Sequence, residues 1–133
     1  MEQSFVIIKP DAVRRLLIGK ILSEYEQHDL KIKELEMMIA PKEVVEKHYE
    51  GKKDKPFFNE LVAYLTSGKL VAATIEGKKS IHRVRAINGD TNPEKADPHT
   101  IRGKYGLSLT ENTVHASDSL ESAEKEINLW LTS

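Results

Sequence analysis

The chain has 133 residues, of which 39% are apolar and 31% charged, an ordinary length and composition for one soluble domain with a real core. Twenty Lys and Arg face 21 Asp and Glu, and the net charge of −1 gives no overall pull toward nucleic acid or an anionic membrane. Cysteine is absent, which excludes disulfides, thiol catalysis and thiolate-held zinc.

The N-terminal MEQSFVIIKPD is neither a signal peptide nor a basic transit peptide, and no apolar run is long enough to span a membrane. A cytoplasmic location is the expectation. Phe5-Val6-Ile7-Ile8 is a compact β-prone run and predicts a buried strand. Asp11 is a candidate N-cap for a single helix carrying Val13, Leu17, Ile21 and Tyr25 on one stripe. Leu30 to Ile39 alternates in parts and reads as a strand, although Glu34 to Met38 also fits a helix. Pro41 opens a short helix toward His48 and Tyr49, and Gly51 to Pro56 is a charged loop.

Phe57 to Thr66 has helical spacing in Phe58, Leu61, Val62 and Leu65, with Gly68 as its stop. Leu70 to Ile75 predicts a second buried strand. Ser80 is the expected cap of a helix containing Ile81, Val84 and Ile87. Asn88 to Pro98 is turn chemistry throughout, and loops of that length in a small domain are often functional. A short helix is expected near Thr100 to Lys104, a short strand at Asn112 to His115, and a final helix with Leu120, Ala123, Ile127 and Trp130. Asp118 and Glu121 resemble a capping box before that last helix.

This order of elements predicts an α+β, ferredoxin-like fold: a four-stranded antiparallel sheet with helices on one face. Its βαββαβ core would carry extra helices and a long loop at about 88–99, all within a single domain over residues 1–133.

No glycine-rich phosphate loop, dinucleotide fingerprint, zinc-protease helix or kinase signature set is present. Any phosphate chemistry must therefore use another scaffold. His115 ends a strand just before a capped helix, with Ser117 and Ser119 beside it. A helix start attracts anions. Lys9 ends the first strand, and Arg85 and Arg102 flank the long loop. A histidine among cations suits attack on a phosphoryl group, with the cations neutralising its oxygens. Taken singly, each of these residues has a plainer role: a structural histidine, a snorkelling lysine, surface arginines, core phenylalanines at 57 and 58.

Four strings carry a further signal: FVIIKPDAV, HYEGKKDKPFFNELVAYLTSG, RAINGDTNPEKADPHTIRG and NTVHASDSLESAEKEINLW. Together they resemble the nucleoside diphosphate kinase family along nearly the whole chain. The resemblance implies transfer of a γ-phosphoryl group from a nucleoside triphosphate, mainly ATP, to a nucleoside diphosphate through a phosphohistidine. His115 matches the nucleophile, Glu126 the carboxylate that orients it, and Ser117 and Tyr49 groups beside that pair. Lys9, Arg85, Thr91 and Arg102 match phosphate ligands, with Lys9 also reaching a sugar hydroxyl. Asn112 matches a ribose ligand. Phe57 matches the ring that stacks on the base, with Leu61 and Leu109 completing the slot.

The implied cofactor is Mg2+, held through nucleotide phosphates with no protein ligands. Broad nucleotide specificity follows from recognition by stacking. The implied assembly is a homo-oligomer built from dimers, and an end three residues after Trp130 leaves hexamer and tetramer both open. Departures from the family pattern are Ala116 and Ala12, where glycine is usual, and the extra charge of Lys104. Alanine beside the nucleophile strains the site only where the backbone needs positive φ. Two alternatives stand beside this reading: a binding domain that keeps the pocket without turnover, and a nucleic-acid-binding domain, which the near-zero charge disfavours.

Overall fold

A computed structural model describes residues 1–131. The strands are β1 (Glu2–Ile8), β2 (Lys31–Met38), β3 (Leu70–Gly77) and β4 (Val114–Ala116). The helices are α1 (Pro10–Arg14), α2 (Ile18–Gln27), α3 (Lys42–His48), α4 (Phe58–Leu65), α5 (Ser80–Asn88), α6 (Ile101–Tyr105) and α7 (Leu120–Leu131). A 3₁₀ turn at Glu50–Lys52 follows α3. The strands form one antiparallel sheet in the order β2-β3-β1-β4, as expected of the ferredoxin-like α+β fold. Among the described residues, no helix is long and apolar enough to cross a membrane.

β1 lies in the middle of the sheet, so both of its faces are covered and the run Phe5-Val6-Ile7-Ile8 needs no polar alternation. Its side chains still divide by face. Val6 and Ile8 join Ile21, Tyr25, Val84 and Ile101 in one core layer, beneath α2, α5 and α6. Phe5 and Ile7 join Val45, Val62, Leu65 and Trp130 in the other, beneath α3, α4 and α7. The helices therefore cover both faces, not the single face expected. Residues outside the βαββαβ core supply the second layer.

Several local expectations are corrected. The stripe from Val13 to Tyr25 belongs to two helices, because α1 closes at Leu16 in the left-handed region (φ 61). Its N–H bonds Val13 O and that of Leu17 bonds Ala12 O, a Schellman closure without the usual glycine. Asp11 is not the N-cap: Lys9 is, with Pro10 in the first turn, where its missing N–H costs nothing. Ser80 spends its hydroxyl on Ile75 O, and the Glu2 carboxylate accepts the Ile81 N–H at the head of α5. α4 stops at Leu65, ahead of Gly68, where the hydroxyls of Thr66 and Ser67 bond the last carbonyls. At α7 it is Ser119, rather than Asp118, that accepts the Ser122 N–H.

Candidate active site

The site forms where the ends of β1 and β4 meet the start of α7, the head of α6 and the loop after α5. Antiparallel pairing sets Ile7 opposite His115. Alternation along β4 sends Val114 and Ala116 into the core under α5, which leaves His115 facing the α7 side. There its ring meets Glu126. His115 Nε2 lies 3.1 Å from Glu126 Oε1, and the Ser117 hydroxyl donates to the same oxygen at 2.7 Å. A carboxylate only accepts, so Nε2 is the donor of this bond, and in the neutral ring the lone pair then falls on Nδ1. Burial alone would raise the Glu126 carboxyl; the hydrogen bond and charge of His115, with His48 and Ser117, outweigh it and hold the group below its ordinary value. Glu126 is thus a carboxylate at neutral pH.

His48, at the end of α3, packs edge-on against the His115 ring, with centroids 4.7 Å apart at 77°. Its Nδ1 accepts the indole N–H of Trp130 at 3.1 Å. Burial, then repulsion from His115, pushes its pKa down to about 3, so the ring stays neutral beside His115. Tyr49 stands edge-on to His48 at 4.8 Å, and burial, then Glu126, lifts its phenol to about 12.

The cations approach from the other side. Lys9 is 7% exposed, and its Nζ donates to Asn112 Oδ1 at 2.7 Å. Burial, then the charge of Arg102, lowers its pKa to about 8 against the opposing pull of Asp11. Arg102 is clamped through two nitrogens, to Gly89 O and Val114 O, each at 2.7 Å. Its buried Nε and the buried Nδ2 of Asn88 have no hydrogen-bond partner among the described residues. Buried donors left unpaired beside a cavity are costly unless a ligand or water answers them. Asn112 Nδ2 donates to Thr91 O at 3.0 Å, which ties the long loop to the head of β4.

These groups border a cavity of about 540 Å³. Of the residues expected from the sequence, Lys9, Tyr49, Leu61, Arg85, Thr91, Arg102, Leu109, Asn112, His115 and Glu126 line it. Ser117 lies buried behind Glu126 and acts on it from there. Phe57 does not line the cavity: it is the N-cap residue of α4 and 42% exposed, while its neighbour Phe58 packs into the core. Sequence reasoning missed His48, although it opens one of the matching strings. A lone histidine at a helix end has no spacing signal, and only the fold sets it against His115. Lys52, Asp90 and Asp118 also line the cavity, although none was expected as a site residue. His48, His115 and Glu126 are close enough to share a metal ion, with ligand atoms within 4.8 Å of one another. Existing bonds among themselves and to Trp130 already account for their arrangement.

The profile of the nucleoside diphosphate kinase family matches residues 2–133. The chain belongs to this family. A nucleoside diphosphate kinase of Clostridium perfringens is 59% identical over 130 residues, covering 98% of this chain and 91% of its own. One from Archaeoglobus fulgidus is 48% identical over 132 residues, covering 99% and 87%. The crystal structure of the apo nucleoside diphosphate kinase of Encephalitozoon cuniculi superposes with a TM-score of 0.97 at 41% identity, covering all of this chain and 90% of that one. That of Aquifex aeolicus gives 0.94 at 39% identity, covering 99% and 96%. Family membership makes the chain an enzyme of the phosphotransferase class. Ala116, at the usual glycine position, is not among the positive-φ residues and lies in β4, so alanine fits there without strain.

Proposed function

We propose that this chain transfers the γ-phosphoryl group of a nucleoside triphosphate, mainly ATP, to a nucleoside diphosphate by a ping-pong cycle through phosphorylated His115. One observation carries the reading: His115 Nε2 is engaged by the Glu126 carboxylate, and the remaining nitrogen belongs to a ring that borders a cation-lined cavity. In the first half-reaction Nδ1 attacks the γ-phosphorus, the bond to the bridging oxygen breaks, and the nucleoside diphosphate leaves with that oxygen's electrons. The second half-reaction reverses these steps with another nucleoside diphosphate. Positive charge arising on the imidazole is answered by the Glu126 carboxylate, and Ser117 holds that carboxylate still.

Lys9, Arg85 and Arg102 neutralise the phosphate oxygens, the term that dominates phosphoryl transfer. Asn112, already bonded to Lys9, takes the ribose, and Thr91 a phosphate. Tyr49 buttresses the His48 ring behind the nucleophile. Leu61 and Leu109 form the slot for the base, with Phe57 turning in from the start of α4 to stack on it. A slot of this kind makes few edge contacts, which gives broad base and sugar specificity.

The lining fits a magnesium nucleotide. Its cations and unpaired donors suit a polyphosphate, and the carboxylates Asp90 and Asp118 stand at the cavity wall. Mg2+ would be held mainly by phosphate oxygens and would draw charge from the transferring group.

We also infer a homo-oligomer of dimers, hexameric or tetrameric. β2 is an edge strand, and Leu35, Met37 and Ile39 around it are 53%, 51% and 63% exposed, an unprotected surface for a monomer. Light scattering showing a monomer at micromolar concentration would remove that inference. A cytoplasmic location is consistent with the absence of cysteine.

The decisive experiment is intact-protein mass after incubation with ATP and Mg2+, before and after adding GDP. One acid-labile phosphoryl group that appears and is then discharged to GDP is the expected result. ATP binding with no phosphoprotein would overturn the mechanism.

A further inference from the structure

Between Asn112 and His115 the backbone does something unusual. The Val114 N–H bonds Asn112 O at 2.9 Å, closing a three-residue γ-turn. At its centre Thr113 has φ 81 and is fully buried. A β-branched residue in the left-handed region is a genuine outlier, and such a conformation persists only where its surroundings over-determine it. The turn sits at a sensitive place. On one side Asn112 is bonded through its side chain to Lys9 and Thr91 O. His115 lies two residues beyond on the other. The Thr113 carbonyl also accepts the Lys9 N–H at 2.9 Å.

Beneath the turn is a buried carboxylate that the phosphotransfer chemistry does not use. Asp11 is 1% exposed. Its Oδ2 faces the Thr113 hydroxyl at 3.5 Å, and its Oδ1 accepts the phenol proton of Tyr64 on α4. The Asp11 N–H donates back to that phenol oxygen at 3.0 Å. Burial, then the bond to Asp11, pushes the Tyr64 phenol far above its ordinary value, so it remains a donor. Tyr64 and Asp11 thereby grip each other twice, and the free carboxylate oxygen is presented to Thr113.

We propose that Asp11, gripped by Tyr64, is a positioning residue that locks the γ-turn at Thr113 and so sets the placement of Asn112 and Lys9 relative to His115. Its kinetic consequence rests on the phosphotransfer reading above. An error in this placement misaligns the bound phosphate with the nucleophile more than it weakens nucleotide binding.

The test uses the full chain with Asp11→Asn, Tyr64→Phe, Thr113→Gly and the Asp11→Asn/Thr113→Gly pair. Rapid-quench phosphohistidine formation is followed against ATP concentration, with Tm measured for each variant. Asp11→Asn and Tyr64→Phe should each slow phosphorylation at saturating ATP by about tenfold, with the half-saturating ATP concentration moving less than about threefold. Glycine adopts positive φ without steric cost, so Thr113→Gly should remove most of the rate loss caused by Asp11→Asn. A fall in Tm with the rate untouched, or the same rate loss in both backgrounds, would overturn the proposal. Should Asp11→Asn not fold, Tyr64→Phe and its Thr113→Gly pair carry the same comparison. A wild-type chain that forms no phosphohistidine sinks the phosphotransfer reading alone. The clamp is then decided by Tm, which Asp11→Asn must lower less in the Thr113→Gly background.

Discussion

At the end of β4 and on the covering face of α7, the Ser117 hydroxyl and His115 Nε2 converge on one oxygen of Glu126 at 2.7 and 3.1 Å, and the Phe5 ring, stacked on Trp130, lies tilted against that of His115. By contrast, Leu109 on the cavity wall and Phe57, outside that wall, stand 64% and 42% exposed on a loop and at a helix start. On the proposed reading, the difference teaches how one cavity would divide two tasks. Attack on phosphorus needs a nitrogen held in one orientation, and that group sits on packed strand and helix. A base of variable identity needs only an apolar surface that can adjust, and that surface is left loose.

The division can be broken at its rigid end first. His115→Ala should abolish phosphoprotein formation, a loss of about a thousandfold or more, while nucleotide binding by calorimetry persists. Ordinary turnover in that variant would end the proposed mechanism. Arg102→Ala should follow, at about a hundredfold in kcat/KM, because phosphate charge goes unmatched and the carbonyls of Gly89 and Val114 lose their clamp. A change below threefold would mean that Arg102 is a structural tie only.

The pH profile sharpens the comparison from the cation side. On the proposed reading phosphate binding needs charged Lys9, and burial lowers its pKa to about 8. A lowered pKa means the proton is lost earlier as pH rises, so kcat/KM should decline above about pH 8, tenfold per unit in the limit. A profile flat to pH 10 would place Lys9 outside phosphate recognition. The smallest effect belongs to the loose surface. Phe57→Ala should raise KM about fivefold and leave phosphorylation at saturating ATP nearly unchanged. A large fall in that rate would show that this surface positions phosphate as well as base.

Apolar spacing located β1, β3 and most helices, because burial on one or both faces writes itself into that spacing, whereas the largely exposed β2 left strand and helix both open over part of its length. It failed where tertiary contacts replaced local signals. Leu16 closes α1 where a glycine would have announced the stop, and Glu2, from the far end of the chain, supplies the acceptor that Ser80 was expected to give α5. In the cavity, the matching strings pointed to Lys9, Arg102, Asn112, His115 and Glu126. They gave no role to His48, whose place beside His115 depends on α3 meeting α7.

Residue chemistry and order alone determined the family, the α+β class and the phosphate-seeking character of the chain, since these depend on which side chains occur and at what spacing. The tertiary structure decided the rest: a second helical layer over the sheet, the neutral state of His48, the exposure of Phe57, and the Asp11–Tyr64 grip on Thr113. Each of these arises from groups distant in sequence brought into one low-dielectric neighbourhood, where burial and a partner's lone pair outweigh local preference.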